Sequence, residues 1–596
     1  MRLHAMPIET LQRKRKGIRR ELQTQTDLHE IRIAVLGGST TNELVDFLEL
    51  LLLDSGFNPT FYQSEYNRYY EDAVLEPELV VTFRPDIIYI HTTAVNIRSF
   101  PPLSCTEVEL RDYVYTQVNH FRSIWQSLQQ HVDAQIIQNN FEAPATASLG
   151  NLDAVLPAGH TRYTNEVNLE LARVIGKEPR VILQDIQSIA ARLGLVQWSE
   201  LDRWWSYKLA TTVEGSFAIA ASLASIIRAI YGKSRKCLVL DLDNTLWGGV
   251  IGDDGPDKIQ IGRETPVAEA YTGFQEYCLS LRNRGILLAV CSKNNEEIAK
   301  QGFDHPDSIL KLEHFAAFRA NWEPKHENIL SIAKELNLGV DSFVFVDDNP
   351  AERAIVEGNI AGIAVPDVGS DVSKYAGILD AARYFETTSL AKDDLQRAKQ
   401  YEENAQRAKT ETKFANYGEY LDSLEMTAEI ELFQPVYMER IVQLTNKTNQ
   451  FNLTTRRYTL AEMEAAISDG QIGIYGKLTD RFGDNGLVSV VLGRVEGPCM
   501  HIDLWLMSCR VLKREMEIAM LDVLAEQARQ AGVETIHAQY LPTAKNAMVA
   551  DHYEKLGFTL LSRDDTTGVS TWSLDIRQYE ARTSHIKLPE LSLKNG

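Results

Sequence analysis

The sequence predicts an α/β protein of three successive domains. Its 596 residues leave room for roughly three to five hydrophobic cores, and 44% hydrophobic with 24% charged residues is a globular composition. Short buried-strand runs alternate with amphipathic helices through residues 29–233 and again through 234–386, which is how parallel sheets with crossover helices read. After Asp371 the hydrophobic runs weaken, a Lys-, Glu-, Gln- and Ala-rich stretch at 387–423 marks a boundary, and 424–580 reads as a third α/β unit.

In chain order, residues 1–28 form a basic arm. Its helix, Ile8–Leu22, carries Ile8, Leu11, Ile18 and Leu22 on one stripe among Arg13, Lys14, Arg15 and Lys16. The first domain opens on the strand Ile31–Leu36, which runs into Gly37-Gly38-Ser39 and the helix Leu44–Leu53. Strands follow at Ile87–Ile90 and Gln135–Gln138, with helices at Leu110–His131, Val167–Ile175 and Phe217–Tyr231. The second domain has strands at Lys236–Leu240, Ile286–Val290 and Ser342–Val346. Thr387–Asn416 reads as an exposed connecting helix. The third domain has a helix at Val436–Leu444, strands near Ile472–Leu478, Leu487–Leu492 and His501–Met507, a helix at Lys513–Ala531 and a strand at Thr535–Tyr540. Residues 581–596 are a tail.

Composition excludes some functions. The 82 acidic and 61 basic residues give a net charge of −21, which disfavours nucleic acid and anionic membranes as partners. No run approaches the ~18 apolar residues of a membrane span; Phe217–Ile230 is interrupted by Ser and Arg. The basic arm is not followed by the apolar segment of a secretory leader. Six cysteines without a CxxC pair suit a reducing cytoplasm, so a cytoplasmic location is expected.

The strongest chemical signal is Leu238-Val239-Leu240-Asp241-Leu242-Asp243-Asn244-Thr245. A buried strand ending in two carboxylates delivers them to the crevice where parallel sheets bind ligands. Like charges so close need a cation, and oxygen donors suit Mg²⁺. A second strand, Ser342–Val346, ends in Asp347-Asp348-Asn349. Between them lie Val290-Cys291-Ser292-Lys293-Asn294, at another strand end, and Trp322-Glu323-Pro324-Lys325.

This order of motifs resembles the haloacid-dehalogenase (HAD) superfamily. The longer strings Leu240–Val250, Cys291-Ser292-Lys293-Asn294-Asn295, Asn321-Trp322-Glu323-Pro324-Lys325 and Val346-Asp347-Asp348-Asn349-Pro350 resemble its capless, FkbH-like subgroup (subfamily IIIC). The resemblance implies Asp241 as nucleophile and Asp243 as general acid and base. Thr245, Ser292 and Lys325 would hold the phosphoryl group, and Asp241, Asp243 (by its carbonyl), Asp347 and Asp348 the Mg²⁺. Only 47 residues separate Thr245 from Ser292 and 22 separate Lys325 from Asp347, which leaves room for a flap at 247–255 but not for a cap domain.

Better-understood members of the subgroup transfer a glyceryl unit from 1,3-bisphosphoglycerate to the phosphopantetheine thiol of an acyl carrier protein. That activity is the leading expectation, with Cys291 as candidate acyl-carrying thiol. The alternative is a phosphatase or phosphotransferase acting on a sugar or lipid-glycan precursor, with non-catalytic flanking domains.

The flanking domains extend the resemblance. The third, with Tyr553-Glu554-Lys555-Leu556-Gly557-Phe558, is similar to GNAT-type acyltransferases, and Arg510, Arg514, Asn546 and Tyr553 are its candidate acyl- or pantetheine-binding residues. Lys513 and Glu515 stand where that fold's cofactor loop carries glycines, which argues against tight acetyl-CoA binding. The first resembles a flavodoxin-like SGNH-hydrolase domain, with Ser39 at the nucleophile block and Asn139-Asn140 on a later strand end. No histidine lies between His160 and His305 to serve Ser39 as a base, so a degenerate domain is expected.

Overall fold

The computed structural model describes residues 3 and 6–588 except 27, 391–399, 401, 402, 405, 408, 409, 412, 449, 544 and 583. Much of the connecting helix read at Thr387–Asn416 and the tail beyond 588 lie outside the described residues. The chain divides into two compact units. One is Met1–Arg228 with Tyr458–Ala465; the other is Ala229–Arg457 with Ala466–Gly596.

The first unit is built on β1 (His29–Gly37), β2 (Phe57–Gln63), β3 (Ile87–His91), β4 (Gln135–Asn139) and β5 (Val181–Gln184). They pair all-parallel in the order β2-β1-β3-β4-β5. The central strands β3 and β4 are buried along their whole length, as a sheet covered on both faces requires. The helix Glu107–His131 starts on a capping box between Thr106 and Glu109 and buries Val118, Phe121, Ile124 and Trp125.

One helix corrects a sequence expectation. Val213–Ile230 has 18 residues, a mean hydropathy of 1.5 and the length and composition to cross a membrane, because its small residues interrupt the apolar run without making it polar. Here it packs inside the first unit: Phe217 meets Phe47 edge-on at 5.4 Å, and the Gln184 side chain donates to the Ile219 carbonyl at 3.0 Å.

The second unit holds two sheets. β6 (Cys237–Leu240), β7 (Leu287–Ser292), β8 (Phe315–Ala320) and β9 (Phe343–Val346) form a parallel sheet in the order β8-β7-β6-β9. Alternate residues of its strands feed two cores. Leu238, Leu240, Leu288 and Val290 pack on one face; Val239, Ala289, Cys291 and Phe345 pack on the other. The helix Pro266–Asn283 crosses between β6 and β7, started by Thr265, whose hydroxyl accepts from the Ala268 N–H.

The second sheet is mixed and seven-stranded: β10 (Thr427–Leu432), β11 (Ile472–Asp480), β12 (Gly483–Glu496), β13 (Cys499–Met507), β14 (Thr535–Tyr540), β15 (Thr559–Arg563) and β16 (Ser570–Asp575), ordered β10-β11-β12-β13-β14-β16-β15. β13 and β14 run parallel and pair only at Cys499–His501 with Thr535–His537. Beyond that point residues 451–453 fill the gap. Leu453 N–H donates to Trp505 O, Met507 N–H to Phe451 O, and Leu541 N–H to Leu453 O.

Candidate active site

β6 lies between β7 and β9, all parallel, so their carboxyl ends bring Asp241, Ser292 and Asp347 side by side. Lys325 opens the helix Lys325–Glu335 after Pro324. Its Nζ lies 2.8 Å from Asp241 Oδ2 and 2.5 Å from Asp347 Oδ2. Lys325 is 3% exposed and Asp347 is closed to solvent. Burial alone would pull the ammonium down, but Asp241 and Asp347 outweigh it and hold it above the usual lysine range. Burial, then the charge of Asp241, pushes the Asp347 carboxyl up to about 6; the same two causes raise Asp348.

Asp241, Asp347 and Asp348 each offer an oxygen within 4.8 Å of the others. Asp241 Oδ1 is buried and has no hydrogen-bond partner among the described residues. A hard-oxygen donor set with an unsatisfied buried carboxylate oxygen fits a divalent cation such as Mg²⁺.

Asp243 is held differently. Its Oδ1 accepts from Trp247 Nε1–H at 2.9 Å and from the Ile251 N–H at 3.1 Å, and its Oδ2 accepts from Asn294 Nδ2 at 2.9 Å. Burial raises its carboxyl above the ordinary range, against the pull of the Ile251 and Trp247 bonds. Thr245 is fully buried, its hydroxyl accepting from the Asp348 N–H at 3.3 Å, and Ser292 is buried at the end of β7. The flap from Trp247 holds only the short helix Ile251–Asp254. Asn244 and Gly249 bend it with φ of 56° and 92°, and the Gly249 N–H donates to Asn244 Oδ1 at 3.0 Å.

Two contributors were not singled out from sequence. Asn294 lay in a quoted motif, but its hold on Asp243 depends on how β7 sits beside β6. Arg353, on the helix Pro350–Asn359, donates to the carbonyls of Asp347 and Asp348 at 2.8 Å each and to Asp367 Oδ1 at 2.5 Å, fixing the acidic turn.

Other candidate residues are placed away from any open site. Cys291 is 0% exposed in the apolar cluster with Val239, Ile329 and Phe345; its Sγ lies 3.5 Å from the Lys325 carbonyl, and burial pushes the thiol far up. The acyl-carrier reading of Cys291 would need this buried thiol to become accessible and ionised. Arg514, Asn546 and Tyr553, expected as pantetheine contacts, are also buried. Arg514 is 7% exposed and bonded to Asp480 at 3.0 Å and Asn404 at 3.1 Å. Asn546 is buried, donating to the carbonyls of Asn452 and Leu541. Tyr553 packs beneath the surface against Trp505, His552 and Phe558, its hydroxyl buried with no hydrogen-bond partner among the described residues. Arg510, by contrast, lines a cavity. In the first unit Ser39 is buried, and its Oγ has no hydrogen-bond partner among the described residues.

No family model matches the sequence, and no curated protein does. Among solved structures, the N-terminal part of the protein BF1531 from Bacteroides fragilis, containing a phosphatase domain and complexed with Mg, is 31% identical. The match covers 63% of this chain and 99% of that one, with a TM-score of 0.58. The ribosomal-protein-S18-alanine N-acetyltransferase of Escherichia coli matches 26% of this chain at 12% identity and a TM-score of 0.21, with 99% of its own length covered. YncA, a putative acetyltransferase from Salmonella typhimurium solved with acetyl-CoA, matches 26% at 15% identity and a TM-score of 0.21, with 97% of its length covered.

Proposed function

The chain belongs to the same family as the Bacteroides fragilis phosphatase-domain protein, and from that premise we propose that it is a Mg²⁺-dependent phosphatase of the HAD type, working through residues 234–386. The observation that carries this is the Lys325 ammonium between Asp241 and Asp347, beside an Asp241 oxygen that no hydrogen bond holds among the described residues. Thr245, Ser292 and Lys325 receive the phosphoryl oxygens. The Asp241 carboxylate attacks phosphorus, and the bond to the leaving oxygen breaks as the aspartyl-phosphate forms. Asp243, whose carboxyl burial raises above the ordinary range, gives a proton to that oxygen. It then takes a proton from the water that attacks phosphorus, releasing phosphate and regenerating Asp241. Asn294 and Trp247 keep Asp243 oriented through both steps. When bound, Mg²⁺ would be held by Asp241, Asp347, Asp348 and the Asp243 carbonyl, and would offset their charge and that of the phosphoryl oxygens.

Asp241→Asn keeps the shape and removes the nucleophilic charge. It is expected to abolish Mg²⁺-dependent phosphate release, from p-nitrophenyl phosphate and from acyl phosphates, in a chain whose circular dichroism is native. Full turnover by this variant would overturn the mechanism.

The family resemblance supplies a finer reading, in which the substrate is a phosphorylated acyl donor, 1,3-bisphosphoglycerate, whose glyceryl unit passes to the phosphopantetheine of an acyl carrier protein. A second reading is favoured by the burial of Cys291, Arg514 and Tyr553: dephosphorylation of a sugar or lipid-glycan precursor, with the flanking domains as scaffold. Intact mass of a phosphopantetheinylated carrier after incubation with 1,3-bisphosphoglycerate separates the two. A glyceryl adduct supports the first and an unmodified carrier the second.

A further inference from the structure

We propose that Trp322 is a specificity-determining residue of the phosphatase site, its exposed ring stacking on a substrate that is the phosphate ester of an uncharged sugar. The inference rests on the phosphatase reading of residues 234–386 and names the substrate class of that site.

Trp322 stands apart from the other tryptophans of the second unit. Trp247, Trp505 and Trp572 are at most 4% exposed, whereas Trp322 is 76% exposed. A single apolar side chain on a surface is ordinary. What marks this one is its place and how firmly its backbone is held. Trp322 lies two residues beyond the end of β8 and three before Lys325. Ala320, the last residue of β8, pairs with Ser292, and the Asn321 N–H donates to the Ser292 carbonyl at 3.1 Å. Trp322 is therefore strung between the two residues that receive the phosphoryl group, its Cα at most ~11 Å from that of Lys325.

The turn that presents the ring is fixed from inside. Asn321 and Asn328 exchange side-chain hydrogen bonds at 3.2 and 2.7 Å, and the Glu323 N–H donates to Asn321 Oδ1 at 3.0 Å. Asn328 is buried on the helix that Lys325 opens. An aromatic ring carried on so fixed a backbone loses little freedom when a ligand covers it.

Its neighbours define the ligand. Glu323, next in the chain, is exposed. Its carboxylate accepts from hydroxyl groups and repels a second phosphate. Lys293, just past β7, is paired with Glu352 at 2.6 Å, and Arg353 is committed to Asp367 and to the carbonyls of Asp347 and Asp348. Both cations are thus already engaged, whereas a bisphosphate needs one for its second phosphate. A sugar ring matches what is present: its C–H face suits the indole, and its hydroxyls suit the carboxylate.

The test pairs kinetics with binding on the full chain in Mg²⁺. Hydrolysis is compared between acetyl phosphate, which has no ring, and whichever of a panel of hexose 1- and 6-phosphates the native chain turns over best. Trp322→Ala should raise KM for the hexose phosphate about tenfold or more relative to KM for acetyl phosphate, with a much smaller change in kcat. Trp322→Phe should recover most of that loss. An equal change in KM for both substrates, or no recovery with phenylalanine, would overturn the stacking role. A native chain that prefers acetyl phosphate to every hexose phosphate would overturn the sugar assignment. Calorimetry with the same hexose phosphates on Asp241→Asn, which keeps the site without its nucleophile, separates this inference from the reading it rests on. If the native chain hydrolyses no phosphate ester but hexose phosphate binding weakens about tenfold when Trp322→Ala is added, the phosphatase reading fails and the sugar site stands. Binding that is absent, or indifferent to Trp322→Ala, overturns the sugar site whatever the activity.

Discussion

Replacing Lys325 by methionine removes one charge from between two buried carboxylates and keeps most of the stem that packs around it. Nζ lies 2.8 Å from Asp241 and 2.5 Å from Asp347. With an effective dielectric of ~20, each contact is a gross attraction of about 6 kcal/mol, most of it offset by the desolvation of the ions. Breaking a buried pair by removing one partner costs ~3–5 kcal/mol, because the other partner is left charged and dry. Here two carboxylates are left, with Asp348 beside them. The variant's parallel-sheet domain is expected to lose at least ~3 kcal/mol of stability in EDTA. Mg²⁺ should then raise its midpoint further than the native one, because a cation no longer competes with the lysine for the same oxygens. Phosphate release should fall at least ~10²-fold with the loss of a charged phosphoryl contact. Urea unfolding followed by near-ultraviolet circular dichroism, in EDTA and across a Mg²⁺ titration, reads both effects. A variant that unfolds with the native chain in EDTA, or gains no more than it from Mg²⁺, would falsify the electrostatic account of the site.

Asp243→Asn keeps an acceptor for Trp247 and Ile251 but loses both the acid and the base; with p-nitrophenyl phosphate, whose leaving group departs without a proton, release should stop after about one equivalent, with phosphate trapped on Asp241 and visible as added mass, and steady native turnover would contradict the acid–base role. Arg353→Ala frees the turn that holds Asp347 and Asp348 and should raise the Mg²⁺ concentration needed for half-maximal activity about tenfold or more, for a loss of roughly 1.5–3 kcal/mol per charged hydrogen bond; an unchanged Mg²⁺ dependence would show the turn to be self-supporting. His552 is buried in the mixed-sheet domain, and burial lowers its imidazole to about 3, whereas the unfolded chain titrates near ~6.5. The folded state then binds fewer protons, so this contribution is whole above pH ~6.5 and is lost as pH falls toward 3. Urea midpoints of that domain should drop between pH 6.5 and 4 in the native chain and less steeply in His552→Leu, and equal slopes would exclude the histidine as the cause.

How far the fold could be read from sequence follows from strand position. Central strands such as Ile87–His91 and Cys237–Leu240 are buried throughout, and their unbroken apolar runs are plain. Several missed strands lie at sheet edges: Phe57–Gln63, Val181–Gln184, Phe315–Ala320 and Thr559–Arg563. An edge strand pairs on one side only and tolerates polar residues and proline. Phe57–Gln63 contains Pro59 and is half-exposed, and Thr559–Arg563 is exposed along its length. The acids of the site were legible because they close strands buried along their whole length, Asp241 the central β6 and Asp347 and Asp348 the edge strand β9, whose outer position did not interrupt its apolar run. Arg353 was not, because its role appears only when its helix folds back over the Asp347-Asp348 turn.

The loop after β13 shows where residue identity and backbone part ways. Lys513 and Glu515 replace glycines of a familiar phosphate-binding pattern, yet both adopt φ of 63°, the left-handed conformation glycine takes most easily. The loop therefore keeps a glycine-type path at a cost of ~1–2 kcal/mol for each side chain. Other contacts must hold it there. The Tyr417 hydroxyl donates to the Lys513 carbonyl at 2.8 Å, and the His585 N–H donates to Glu515 Oε2 at 3.1 Å. Arg514, between the two strained residues, is drawn inward to Asp480, which Arg407 also grips through both carboxylate oxygens at 2.7 and 2.9 Å. The basic residue that the sequence offered to a ligand is thus committed to fixing the loop. Arg510, four residues earlier, bonds to Ser508 and Gln400 and lines a cavity of about 100 Å³. Two arginines in one short segment have separate roles because the backbone turns left-handed on either side of the second, a feature the letters Lys and Glu gave no reason to expect.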